Sequence, residues 1–363
     1  MHAVPVAKDA TSDLDPLADL TSQLIDQWDR MSGQQDASGG EMEMAQFEGL
    51  PLPRRPRGGL AIGRSRDERT GKQRLEMRVT AQAGPNYRAA EKLAATARTQ
   101  GVEVILEVIK NAIIGRAPPP ATIAGRREPL HIGASIANRE SLAGTLGAFV
   151  KLPDGEEGML SCSHVLARTG RKWGKVGDPI HQPGAPEEKL VTAKSQIGTL
   201  SDCFAPFIDS QTNNLDAAVA RMDRRGHHEG NVIPTHDCVP LALRGKRIGK
   251  PLDDVENATG IRVCKVGRST GYTEAQLSAT SFQNMRVELG RTKVFTFSDI
   301  YEVLWDDGQD FAAAGDSGSL VMACDGLLPL GLHFASMEGV AGKRVSYVIP
   351  WQRIAATFDL QPL

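Results

Sequence analysis

The 363-residue chain has no CxxC pair, and its five cysteines (Cys162, Cys203, Cys238, Cys264, Cys324) are odd in number and scattered. The disulfide framework of a secreted domain would show an even, patterned set. Free thiols and a reducing, cytoplasmic setting are therefore expected. Net charge is almost absent, with 42 Lys+Arg against 44 Asp+Glu, or −2. That argues against the basic face of a dedicated nucleic-acid or membrane-surface binder. No apolar run approaches the roughly 18–20 residues that cross a bilayer. The first twenty residues lack a basic stretch followed by an apolar one, so neither membrane insertion nor a secretory signal is expected. Aromatics are few at 5%, whereas 37 glycines and 21 prolines are plentiful. That balance favours a turn-rich β-structure over a helical bundle.

Three segments follow from the patterning. Residues 1–58 open with ten acidic and two basic residues among the first fifty, a composition that orders poorly. Within it, Leu17, Leu20, Leu24, Trp28 and Met31 recur at steps of three and four, one apolar stripe of a short helix. The stripe either docks on the protein's own surface or presents residues 17–31 to a protein partner. Basic residues then crowd together from Arg54 to Arg74 without aromatics to stack bases, as in a solvated linker or a partner for the acidic tail. Residues 59–129 read as a small α+β unit. Two strands flank a charged turn at Gly71, an Ala-rich helix over 87–100 ends at Gly101, a strand covers 102–109, and a Pro-rich linker closes the unit. From residue 130 to 363 at least ten short strands separated by turn residues indicate antiparallel barrels or a sandwich. A short helix opening on Pro350 follows.

Three stretches of this β-region carry residues whose chemistry fits together. Ser161–Ala167 (SCSHVLA) puts His164 at a strand end, Asn213–Ala220 (NNLDAAVA) puts Asp216 before a small apolar strand, and Ala314–Leu320 (AGDSGSL) puts Ser317 in a glycine-flanked turn. A serine hydroxyl needs an imidazole to take its proton. The imidazole needs a carboxylate to fix its tautomer. The oxyanion needs backbone N–H donors, which Gly315 and Ser317 are placed to supply.

On these motifs the sequence resembles the trypsin/chymotrypsin-like serine peptidases over about residues 131–360, with KVGRSTGYT (Lys265–Thr273) and GLHFAS (Gly331–Ser336) in support. The order His…Asp…Ser is that family's, whereas α/β-hydrolases run Ser…Asp/Glu…His around a G-x-S-x-G elbow. The resemblance, closer to bacterial intracellular members with an N-terminal extension, implies a mainly β fold. Two antiparallel barrels of the chymotrypsin type and a C-terminal helix would follow the α+β unit. It implies a serine endopeptidase acting on proteins or peptides without cofactor or metal, with His164 as base then acid, Asp216 orienting it and Ser317 as nucleophile. The N-terminal region would regulate it. The alternative is a latent peptidase-fold scaffold that recruits partners through that region. Two departures stand out: Val165 follows the histidine where secreted relatives carry a bridging cysteine, and no activation site precedes Asp316, whose partner stays open.

The same resemblance makes Gly331–Ala335 one wall of the specificity pocket. A histidine at the position of His333 faces the substrate carboxylate in glutamyl endopeptidases, and Phe311 stands at the pocket base, six before the nucleophile. His333 either meets an acidic side chain or is a core histidine above a shallow apolar pocket. No Asp occupies the base, against an Arg/Lys preference. The stretch His227–Cys238 is rich in metal-competent side chains but matches no zinc spacing, and it reads as a connection between barrels.

Overall fold

The computed structural model describes residues 16–36, 59–80, 84–109, 112–114, 122–123, 125–126, 128–169, 172–184, 195–208, 211–223, 227–289, 293–305, 310–338 and 344–363. The expected disorder of residues 1–15 and 37–58 lies outside them. Helix α1 (Pro16–Asp36) precedes a hairpin of β1 (Leu60–Arg66) and β2 (Gln73–Thr80), whose turn holds Gly71 at φ +68°. Helix α2 (Gly84–Thr99) then crosses over to β3 (Glu103–Ile109), which runs parallel to β2. The α1 stripe is buried: Leu17, Leu20, Leu24 and Trp28 pack with Leu60, Ile62, Leu75, Met77 and Leu93. The stripe thus docks on the protein's own surface, the first of the two readings of this segment.

This unit is not a separate bead. After β4 (Ala112–Ile114), the first barrel's sheet is built from β5 (Ser135–Asn138), β6 (Gly144–Thr145), β7 (Ala148–Lys151), β8 (Glu157–Ser161), β11 (Pro179–His181), β12 (Gln196–Phe204) and β14 (Ala218–Met222). The one-turn α3 (Ser163–Leu166), a separate hairpin of β9 (Arg168–Thr169) and β10 (Lys172–Trp173), and β13 (Thr212–Asn213), which pairs with the later strand Lys293–Phe297, lie in its connections. Its sheet curls because β6 and β7 are halves of one bent stretch. At the bend the Leu146 amide bonds to the Ala134 carbonyl, and the next amide, Gly147, bonds to Leu160 on the other side.

The second barrel comprises β15 (Arg262–Gly267), β16 (Gly271–Gln283), the hairpin β17 (Met285–Leu289) and β18 (Lys293–Phe297), β19 (Ile300–Trp305), β20 (Leu320–Ala323), β21 (Leu328–Glu338) and β22 (Arg344–Pro350). Strands β15, β16, β19, β22, β21 and β20 pair in a closed ring. Helix α4 (Trp351–Phe358) buries Trp351 and Ile354, and β23 (Gln361–Pro362) returns to pair with β7. The fold is thus mainly β, a closed six-stranded barrel beside a curled one with few helices, the mainly β arrangement expected from the sequence.

Strand β1 adds to β16, with Ile62 opposite Gln283 and Arg64 opposite Thr280. The seam carries a buried charge cluster. The Arg78 guanidinium, over the Phe282 ring, donates to both Glu302 oxygens (2.8 and 3.2 Å) and to Glu76 (3.1 Å). Burial pushes the Glu76 carboxyl above its ordinary value despite Arg78. Arg64 pairs with Glu256 at 3.2 Å and Arg66 bonds to Asn257. At these positions the basic run fastens the unit to the barrel and is no solvated linker. All five cysteines are free thiols, as expected.

Candidate active site

The site forms where the two barrels meet. Strand β8 ends at Ser161, Cys162 is extended, and the single turn of α3 carries His164 inward. Asp216 lies in the loop before β14, completely buried. Asn213 anchors that loop, its amide nitrogen donating to the Ile208 and Thr296 carbonyls at 3.1 and 3.2 Å. Ser163 Oγ donates to the Ala217 carbonyl at 2.6 Å. With both neighbours held, Asp216 Oδ2 sits 2.6 Å from His164 Nδ1, and its Oδ1 accepts the His164 amide at 3.2 Å. A carboxylate accepts, so Nδ1 carries the proton and Nε2 is left as the basic nitrogen.

Ser317 is half-buried on the turn entering β20, with Oγ donating to the Phe334 carbonyl at 3.4 Å. Among the described residues no hydrogen bond joins it to His164. Thr145 of β6 holds the turn in place: its Oγ1 donates to the Gly315 carbonyl at 2.9 Å and its amide to the Ser317 carbonyl at 2.8 Å. Neither the Gly315 nor the Ser317 amide donates to another backbone group among the described residues. Backbone donors at the serine are what a developing oxyanion requires. Gly318 has φ +93°, and a Cβ there would fall on Ser161 Oγ and within 2.5 Å of the Thr145 carbonyl. Gly318→Ala is expected to destabilise the fold by at least about 2 kcal/mol, combining left-handed strain with overpacking. Chemical denaturation measures this, and an unchanged midpoint would contradict it.

The partner of Asp316 is Lys265. Both side chains are fully buried, with Nζ 3.3 Å from Oδ2. Thr270 Oγ1 and the Ser269 and Ala313 amides also donate to the carboxylate, at 2.7, 2.8 and 3.0 Å. Burial alone would raise the Asp316 carboxyl, yet the Lys265 ammonium and these donors hold it below its ordinary value. Lys265, Ser269 and Thr270 belong to the KVGRSTGYT stretch, so what was a supporting motif is the cradle of the turn.

At the supposed pocket, Phe311 is buried against Trp305, with Lys265 Nζ 5.3 Å from its ring centre. His333 is 2% exposed. Burial, then the nearby Lys265, depresses its pKa to about 3, so its ring is neutral near pH 7. Its Nδ1 is buried without a hydrogen-bond partner among the described residues. His333 thus has the surroundings of a buried core histidine, one of the two expectations for it.

Cys162, His164 and Asp216 each offer a ligand atom within 4.8 Å of one another. The Nδ1–Oδ2 hydrogen bond already joins two of them, and burial, with Asp216 beside it, pushes the Cys162 thiol well up. The set therefore suits proton handling better than an ion. In the His227–Cys238 stretch, His228 stacks on Phe149 (4.3 Å) and His236 Nδ1 contacts Cys238 Sγ at 3.0 Å. Among the described residues no metal-competent group of three forms there.

Solved structures similar to this chain include several proteases. Thermobifida fusca Protease A is 15% identical at a TM-score of 0.44, covering 64% of this chain and 99% of that one. A Nocardiopsis protease is 14% identical at 0.45 over the same shares. A glutamic acid-specific serine protease described as using a histidine triad in substrate binding is 16% identical at 0.44, covering 64% and 100%. Among curated proteins, Protein NARROW LEAF 1 of Oryza sativa subsp. japonica is 30% identical over 213 residues, 55% of this chain and 34% of that protein. The chain thus spans about a third of that relative's length. No family model matches.

Proposed function

We propose that the chain is a serine endopeptidase. The observation that carries this reading is the 2.6 Å His164–Asp216 bond beside a serine turn whose Gly315 and Ser317 amides donate to no backbone group among the described residues. His164 Nε2 takes the Ser317 proton as Oγ attacks the scissile carbonyl, and the Gly315 and Ser317 amides hold the oxyanion. The protonated His164 then gives its proton to the leaving amine, and water, activated by the same imidazole, hydrolyses the acyl-enzyme. The N-terminal unit regulates this activity, and the five free thiols support a reducing, cytoplasmic setting.

One observation favours the second reading, a latent scaffold: Ser317 Oγ bonds to the Phe334 carbonyl and not to His164. An alkyl fluorophosphonate separates the two, because only an assembled triad is phosphonylated. Labelling of Ser317, lost in Ser317→Ala, is expected by intact-mass spectrometry. An unlabelled, folded protein would favour the scaffold.

A further inference from the structure

The three residues of β4, Ala112–Ile114, occupy a particular edge. Beyond Leu332, β21 has no further partner in β20, and its other edge pairs with β22. The register shifts between His333 and Ala335. At that shift the Phe334 carbonyl receives the Ser317 hydroxyl, and beyond it Ser336 pairs with Ile113 of β4. Strand β22 follows one edge of β21 from Gly331 to Glu338, so β4 and the β20 side, which the Ser317 turn enters, share the opposite edge. On its far side β4 runs parallel to β17, with Ala112 opposite Val287, Ile113 opposite Glu288 and Ile114 opposite Leu289. Ala112 is fully buried. A three-residue strand clamped between a barrel strand and a projecting hairpin is the geometry of peptide capture by strand addition.

We propose that β4 is an internal pseudosubstrate: it fills the strand-addition slot beside Ser317 and must leave before an extended peptide can enter. The inference rests on the peptidase reading above. It also defines what the slot accepts. The strand runs antiparallel to β21, so a peptide residue taking the place of Ile113 stands two before the residue facing Phe334 at the nucleophile. The preferred substrate carries an apolar, β-branched side chain there, with a small one before it, as at Ala112. An occupied slot lowers apparent affinity for peptides by the fraction of molecules in which it is open, and leaves small reagents unaffected.

Ile113→Pro removes the amide that a ladder position uses. In the full-length variant, cleavage of a casein-derived peptide mixture is expected to rise about tenfold, while labelling by the small fluorophosphonate keeps its wild-type rate. Labelling at the wild-type rate with peptide cleavage within about twofold of wild type would overturn the pseudosubstrate. Absence of labelling in the wild-type protein would instead overturn the peptidase reading beneath it. Should the variant fold poorly, amide exchange of the wild-type protein decides. Residues 112–114 are expected to exchange at least about a hundredfold faster than the β21–β22 ladder, through local opening. Protection equal to that ladder would make β4 a permanent wall and overturn the proposal.

Discussion

Ser317→Ala and His164→Ala are each expected to lower peptide turnover by on the order of 10⁴–10⁶, and Asp216→Asn by roughly 10⁴. The geometry sets the order of these losses. Ser317 and His164 exchange the proton itself. Asp216 fixes the tautomer through the 2.6 Å bond to Nδ1, and an amide could turn its NH₂ towards Nδ1 and put the imidazole proton on Nε2. Combining any two substitutions should cost little beyond the worse of them, because groups acting in one step are not additive. Initial rates on a peptide mixture, with active sites counted by phosphonylation, measure this. Wild-type hydrolysis by Ser317→Ala would remove the assignment.

Lys265→Met is expected to destabilise the protein by about 3–5 kcal/mol, since it leaves the buried Asp316 carboxylate without a cation. At this chain length the melting temperature should fall by on the order of 10 °C. The same change should slow phosphonylation, because Asp316 lies between Gly315 and Ser317, whose amides form the proposed oxyanion site. Adding Asp316→Asn removes the stranded charge, so the double variant should recover much of the stability. A Lys265→Met protein as stable as wild type would show that the pair contributes nothing. The pH dependence has a definite sign. The Asp316 carboxyl is held below its ordinary value, so the pair's contribution is present above an unfolded-state pKa of about 3.9. It is lost as pH falls through the lower folded value. Wild type should keep this contribution at pH 5, whereas Asp316→Asn should have a flatter acid limb.

What could be read from the sequence was what short-range chemistry encodes. The α1 stripe, the hairpin about Gly71, the β-rich second half and the motifs around His164, Asp216 and Ser317 each sit within one element and its turn. The Lys265–Asp316 pair spans 51 residues, and nothing local marks a lysine in an alternating strand as buried. Thr145 resembles any threonine in a short strand, yet it holds both carbonyls of the serine turn. Arg78 and Glu76 lie on what alternation makes the polar face of β2, and only the arrival of Glu302 turns that face into an interior. Ala112–Ile114 is too short a run to separate from the linker after β3. Its place against Ser336 depends on two partners far along the chain.

The seam between β1 and β16 also governs how the molecule is made. The Asn284 side chain donates to the Leu60 carbonyl across 224 residues of sequence. Asn231 does the same to the Leu363 carbonyl, across 132. Ribosomes add roughly 5–20 residues per second, so β1 emerges on the order of ten seconds or more before the strand that covers it. The first barrel likewise waits for residues 361–362 before β23 can close onto β7. During that interval a β-edge has no mate and Arg78 waits for Glu302, and such edges recruit other chains. Yield in the cell should therefore respond to chaperone supply and synthesis rate more than to the equilibrium stability of the finished protein.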